Sequence, residues 1–190
     1  MALQTFHILF VCSGNICRSP IAEQLLRART GRDLRVSSAG LIAREGTSMA
    51  PEAAMLSRMY GGNPDAHRAR VVTKELVATA DLVLTATRAQ RGAVVQLVPR
   101  ASRRTFTIRE FSRLLASIPA DDRISLTDLC LLVEAARSRR GFVEPPGNPD
   151  DDDIEDPYLR PVDVYQRVAA RLDVEVQTIA AHLTPGGILR

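Results

Sequence analysis

An apolar run at residues 6–11 breaks abruptly into Cys-Ser-Gly-Asn. A short continuous apolar run followed by turn residues suits a strand buried on both faces. The period then changes. Ser19 and Pro20, followed by Ile21, Ala22, Leu25 and Leu26, predict a helix with Ser19 as its N-cap, Pro20 at its first position and one apolar face. Residues 34–39 read as a second strand stopped by Gly40, and residues 51–60 as a helix closed by Gly61 and Gly62. A short helix over 74–78 leads to a third buried strand at 82–86, then a helix over 88–97 and a weak fourth strand at 104–106. Strands alternating with helices predict an α/β fold with a parallel sheet and right-handed crossovers.

Beyond the fourth strand the alternation stops. Ile108, Phe111, Leu114 and Leu115, then Leu129, Leu132, Val133 and Ala136, fall at helical spacing with Pro119 between them. They predict a helical pair on the edge of the sheet, with Cys130 as inert core on its apolar face. Residues 141–156 form a Pro-, Gly- and Asp-rich loop of a length that usually signals function or mobility. A long amphipathic helix is expected over 162–183. No repeat or linker interrupts the pattern, so residues 1–190 read as one domain.

Composition narrows the function. With 45% hydrophobic and 25% charged residues the chain is globular rather than disordered. Its apolar runs fall far short of the roughly 18 residues that a membrane span needs, and no cationic segment precedes the first of them, so neither a signal peptide nor a membrane partner is expected. Three cysteines do not make a disulfide scaffold and point to a reducing, cytoplasmic compartment. The net charge of +3 is carried by scattered arginines, with 4% aromatics and no Trp. A nucleic-acid stacking platform is therefore not expected.

The chemistry concentrates in Cys12-Ser13-Gly14-Asn15-Ile16-Cys17-Arg18-Ser19-Pro20, between the end of the first strand and the first helix. Ligands of open α/β sheets bind at such junctions. Backbone N–H groups curled round the turn, with the positive end of the helix, make an anion cradle. Gly14 and Asn15 are residue types that tolerate positive φ, and Arg18 can grip a tetrahedral oxyanion with two parallel hydrogen bonds. Cys12 would sit at the centre, where the same dipoles favour a thiolate, an in-line nucleophile towards a bound phosphoryl group. The Ser19 hydroxyl could ease departure of that sulfur. The second Gly and the Lys-Ser/Thr pair of a Walker A loop are missing, so nucleotide binding is not implied.

These residues resemble the low-molecular-weight protein tyrosine phosphatase family. The loop matches Cys-x-Gly-Asn-x-Cys-Arg-Ser-Pro in every specified place, and Ile21-Ala22-Glu23 continues the match. Val36-Ser37-Ser38-Ala39-Gly40, Ala66-His67-Arg68-Ala69-Arg70 and Asp156-Pro157-Tyr158 resemble further segments of the family. The resemblance implies a flavodoxin-like fold, a four-stranded parallel sheet with helices on both faces, and hydrolysis of phosphate monoesters without metal or other cofactor. It makes Cys12 the nucleophile, Arg18 the phosphate clamp and Asp156 the general acid. Ser13, Gly14, Asn15, Ile16, Cys17, Arg18 and Ser19 would surround the phosphate. Asn15, Ser19, Ser38 and His67 would hold the loop's shape, and Ile16 and Tyr158 would line the substrate. Cys17 fits the family's second cysteine, which can form a disulfide with Cys12, or is simply a small apolar residue under the loop. The implied substrate is a phosphotyrosine-containing protein or small aryl phosphate, with a cognate tyrosine kinase as one candidate.

Residues 108–153 depart from the family pattern, which reaches the acid loop in far fewer residues, and read as an insertion. The acidic run 150–153 lacks the alternation of a calcium loop and reads as solvated. Ile16, a branched aliphatic, resembles the tyrosine-directed members, whereas Thr there resembles the protein-arginine phosphatases. Two other rivals are a thiol-dependent arsenate reductase on the same fold and a non-catalytic phosphate-binding adaptor. Asp156 speaks against the reductase, which has no ester leaving group to protonate, and a binding module needs neither thiolate nor acid.

Overall fold

The computed structural model describes residues 5–30, 34–119 and 128–183. Part of the expected insertion, residues 120–127, lies outside the described residues. The strands are β1 (His7–Cys12), β2 (Arg35–Gly40), β3 (Leu82–Thr85) and β4 (Thr105–Thr107). The helices, in chain order, are α1 (Arg18–Thr30), α2 (Pro51–Met59), α3 (Lys74–Thr79), α4 (Arg88–Leu97), α5 (Ile108–Ala116), α6 (Leu129–Arg139) and α7 (Val162–Leu183). The sheet is wholly parallel in the order β2-β1-β3-β4. The strands match the expected ones, mostly displaced by one residue towards the C-terminus, which makes Cys12 the last residue of β1.

The order of the strands fixes where a ligand can bind. β1 pairs with β2 on one side and β3 on the other. The chain therefore leaves β1 and β3 in opposite directions, opening a crevice at the carboxyl end of β1, the switch point of such sheets. Both faces of β1 are covered. Ile8, Phe10 and Cys12 enter a core with α1, α2, α5, α6 and α7, while Leu9 and Val11 pack with Val77, Val94 and Ala101 on the other side. Among the described residues no helix is long and apolar enough to cross a membrane.

The expected helical pair is present, but its members have different roles. α5 follows β4 directly, and its Ile108, Phe111, Leu114 and Leu115 are buried in the main core with α7. α6 lies outside α5 and against the 3-10 turn Pro99–Arg104, buried through Leu132, Val133 and Ala136. Cys130 is exposed, which corrects its reading as core: it stands one position off the face set by residues 129, 132, 133 and 136.

The fastening of α6 is polar. Arg140, just past its end, donates from Nε to Glu110 Oε1 at 2.8 Å and from Nη2 to the Thr105 carbonyl at 2.7 Å. Its guanidinium carbon lies 4.0 Å from the centroid of the Phe106 ring. Glu110 is buried, also binds Arg91 at 2.9 Å, and accepts from the Thr107 N–H at 3.2 Å. One carboxylate thus ties α4, α5, β4 and the end of α6 together. Replacing Arg140 with Ala should cost about 1–3 kcal/mol, since it leaves Glu110 half-paired and uncovers Phe106. Denaturant unfolding measures the loss, and hydrogen exchange should quicken first in α6.

Candidate active site

β1 ends at Cys12 and α1 begins at Arg18, so residues 13–17 form the whole turn between them. The Cys17 carbonyl accepts the first helical bond, from Ile21 N–H at 3.1 Å. The helix therefore starts before the expected Ser19 cap, and Pro20 occupies a first-turn position where an N–H would have no helical partner anyway. This releases the Ser19 hydroxyl from capping. Ser19 Oγ lies 3.0 Å from Cys12 Sγ and accepts a bond from Asn15 Nδ2 at 3.0 Å. The Ser19 proton has two acceptors within reach, the Cys12 sulfur and, at 3.4 Å, the Ala39 carbonyl.

Asn15 sets the shape of the turn. It stands at φ 54 and its N–H points at Cys12 Sγ, 3.3 Å away. Its side chain reaches three elements: Nδ2 donates to Ser19 and, at 2.8 Å, to Ser38 Oγ on β2, while Oδ1 accepts from the Arg70 N–H at 3.0 Å. The Asn15 carbonyl meets His67 Nε2 at 2.8 Å. Asn15, Ser19, Ser38 and His67 thus come together as anticipated. Glu23, which accepts from Ser38 Oγ at 2.5 Å, and Arg70 extend the network beyond what the motif suggested. So does Gln90, whose Nε2 donates to Ser13 Oγ at 3.0 Å. Gly40 proves more than a strand stop: a Cβ there would lie 2.5 Å from the Ser13 carbonyl oxygen and 2.9 Å from the Asn15 nitrogen. Only glycine lets β2 approach the turn this closely.

Arg18 is 3% exposed and bridges the turn to a segment more than a hundred residues away. Its Nη1 donates to the Ile154 carbonyl at 3.1 Å, and its Nη2 to Asp156 Oδ2 at 2.5 Å. Its Nε is buried without a hydrogen-bond partner among the described residues. A buried, unsatisfied guanidinium N–H is suited to an anionic oxygen.

The acid-loop segment is itself pinned. Ile154 N–H donates to the Ala86 carbonyl at 2.8 Å, and Asp153 Oδ1 accepts from the Arg88 N–H at 2.7 Å. Asp150 pairs with Arg88 at 2.9 Å, and Asp152 takes Arg113 Nη2 on both oxygens, at 2.8 and 3.0 Å. The acidic run expected to be solvated is instead a clasp, with three of its carboxylates engaged by arginines or a helix N-terminus. Leu159 holds φ 58, an unusual conformation for a branched side chain, in the turn that presents Tyr158.

These parts enclose one cavity of about 350 Å³, lined by Cys12, Ser13, Gly14, Ile16, Cys17, Arg18, Asp156 and Tyr158. The predicted nucleophile, clamp, acid and lining residues therefore share a wall. Ile42, Arg44 and Thr47 complete it and were not anticipated. Their only signal was topological, since the loop leaving a strand next to β1 must border its carboxyl end.

Burial pushes the Cys17 thiol up to about 12, with the neighbouring Cys12 adding to the rise. Tyr165 of α7 is likewise pushed up to about 12, by burial first and Cys17 second.

With this geometry in place, comparison with known proteins is direct. The model of the low molecular weight phosphotyrosine protein phosphatase family matches residues 7–120. A protein-arginine-phosphatase of Geobacillus stearothermophilus is 30% identical over 178 residues, 94% of this chain and 96% of its own length. The low molecular weight protein-tyrosine-phosphatase Wzb of Salmonella typhi is 39% identical over 92 residues, 48% of this chain and 61% of its own. Among solved structures, the YwlE arginine phosphatase from Geobacillus stearothermophilus has a TM-score of 0.68 at 28% identity, covering 92% of this chain and 90% of that one. A low molecular weight protein tyrosine phosphatase from T. tengcongensis gives 0.67 at 29% identity, with coverage of 92% and 97%. The chain belongs to the low molecular weight phosphotyrosine protein phosphatase family, a family of cysteine-dependent phosphatases.

Because Cys17 stays neutral in the fold, its contribution to stability is complete below about pH 9 and is lost as the pH rises through about 12. Folded protein should accordingly leave Cys17 unmodified by iodoacetamide at pH 8, with labelling only after unfolding, read by peptide mass spectrometry. Equal labelling of Cys17 in both states would show its sulfur to be open.

Proposed function

We propose that this protein hydrolyses phosphotyrosine in proteins through a phosphocysteine intermediate. The observation that carries the reading is that Cys12 Sγ, within 3.0 Å of Ser19 Oγ, lines the same cavity as Arg18 and Asp156. The substrate phosphate enters the turn and competes with Asp156 for Arg18, whose Nε and Nη2 take two of its oxygens. Cys12 Sγ attacks phosphorus opposite the ester oxygen. The S–P bond forms, the P–O bond breaks, and the leaving phenolate takes the proton of Asp156. Water then attacks the phosphocysteine, giving its proton to the Asp156 carboxylate, while Ser19 donates a hydrogen bond to the departing thiolate. The reaction needs no cofactor. Tyr158 and Ile16 would flank the aromatic ring, and a cognate tyrosine kinase would be one substrate of this kind. Residues 108–153, an insertion in this reading, would deliver and clasp the acid loop.

A second reading, phosphoarginine hydrolysis, has support in the near full-length similarity to the Geobacillus protein-arginine-phosphatase. Ile16 favours the aromatic substrate, since an aliphatic side chain packs against a ring.

Cys12→Ser should abolish turnover of p-nitrophenyl phosphate, which the wild type should hydrolyse in the presence of a chelator. Asp156→Asn should slow esters of poor leaving groups by about 10²–10⁴, and p-nitrophenyl phosphate by less, because that phenolate needs little protonation. A loss of equal size on both would remove Asp156 from the role of acid. Parallel assays on phosphotyrosine and phosphoarginine peptides decide between the two substrates.

A further inference from the structure

Arg44 lines the cavity and is used by none of the chemistry above. It is exposed and makes no hydrogen bond or ion pair through its side chain among the described residues. Other arginines near the acid loop behave differently: Arg88 and Arg113 are bound to carboxylates of the clasp, and Arg167 pairs with Asp163. Inside the cavity, Arg18 and Asp156 are paired with each other. Arg44, with the exposed Glu45 next to it in the chain, is left as a guanidinium without an ion-pair partner among the described residues at the mouth.

Its backbone, by contrast, is firmly placed. Leu41 N–H donates to the Cys12 carbonyl and Ile42 N–H to that of Ser13, both at 3.0 Å. On the far side, Gly46 N–H donates to the Ala69 carbonyl and Ala69 N–H to that of Thr47, both at 2.8 Å. The loop is thus sewn to the phosphate-binding turn at one end and to the segment behind His67 at the other. A fixed backbone with a free guanidinium is suited to a ligand group just outside the cradle. Two apolar side chains stand out nearby, Ile42 at 80% exposure in the cavity wall and Leu159 at 82% beside Tyr158. Such a rim fits a protein segment laid across the opening better than a small free ester.

We propose that Arg44 is a specificity-determining residue that binds a carboxylate close to the phosphotyrosine, so that the substrates are phosphotyrosines in acidic segments. This rests on the phosphotyrosine reading above. The carboxylate of a neighbouring Asp or Glu would meet Arg44 while the phosphate occupies the turn, a two-point attachment that fixes the direction of the peptide. Because the pair lies at the surface, its effect is modest and falls with salt.

The test compares kcat/KM on phosphotyrosine peptides flanked by Glu, Ala or Lys, for wild type, Arg44→Ala, Arg44→Lys and Arg44→Glu. The ratio between peptides is the readout, so a general change in activity cancels. Wild type should favour the Glu-flanked over the Ala-flanked peptide about two- to fivefold, as expected of one exposed ion pair. Arg44→Ala should bring that ratio to about one, Arg44→Lys should keep most of it, and Arg44→Glu should favour the Lys-flanked peptide. A wild type without preference, or a preference that survives in Arg44→Ala, overturns the role of Arg44 and leaves phosphotyrosine hydrolysis intact. Activity on phosphoarginine peptides with none on any phosphotyrosine peptide overturns the underlying reading and this inference with it.

Discussion

The site depends on one residue in one unfavourable conformation. Asn15 stands at φ 54, where an L-residue is penalised by about 1–2 kcal/mol. Four hydrogen bonds from its side chain and carbonyl, to Ser19, Ser38, Arg70 and His67, each contribute about 0.5–1.5 kcal/mol and outweigh that penalty. Without them the turn would relax, and the Asn15 amide would no longer point inwards at Cys12 Sγ. Gly40 supplies the complementary constraint by letting β2 come near enough for Ser38 to reach Asn15. The position of the thiol follows from this joint between α1, β2 and the segment at 67–70.

Much of this was legible in the sequence, for physical reasons. The turn is local, built from consecutive residues, with Asn15 carrying the positive φ and Arg18 the buried charge. The strands declared themselves as short apolar runs. What escaped was either a matter of geometry or a matter of long range. Ser19-Pro20 has the chemistry of a cap, yet the helix begins at Arg18 because the Cys17 carbonyl takes the first bond. The acidic run looked solvated because its partners are distant, with Arg88 lying 62 residues before Asp150 and Arg113 lying 39 before Asp152. Cys130 sits among apolar residues in sequence and one step off their face in space. Ile42, Arg44 and Thr47 follow no periodicity, so only the strand order could have placed them beside the cavity.

The clasp changes how the acid loop should be pictured. A long Pro- and Asp-rich connection suggests mobility, but here its carboxylates are spent on arginines of α4 and α5, and its backbone bonds to the end of β3. Asp156 is thereby delivered to Arg18 by groups that have no chemical part in the reaction. The guanidinium in turn holds the loop through Ile154. In the proposed reaction, binding and proton transfer would be coupled through this single side chain, which would exchange Asp156 for the phosphate as substrate arrives.

The packing of the last helix on the first has a consequence for how the protein is made. α1 carries Arg18, and its apolar face is covered by α7, the final described element. Arg18 and Asp156 stand 138 residues apart. On a ribosome adding about 5–20 residues per second, the cradle sequence is out many seconds before either the acid or the helix that buries α1. A chain still being synthesised therefore holds the thiol without the walls that organise it. In the proposed reaction, a fragment that stops before Asp156 would lack both the acid and the helix that covers α1.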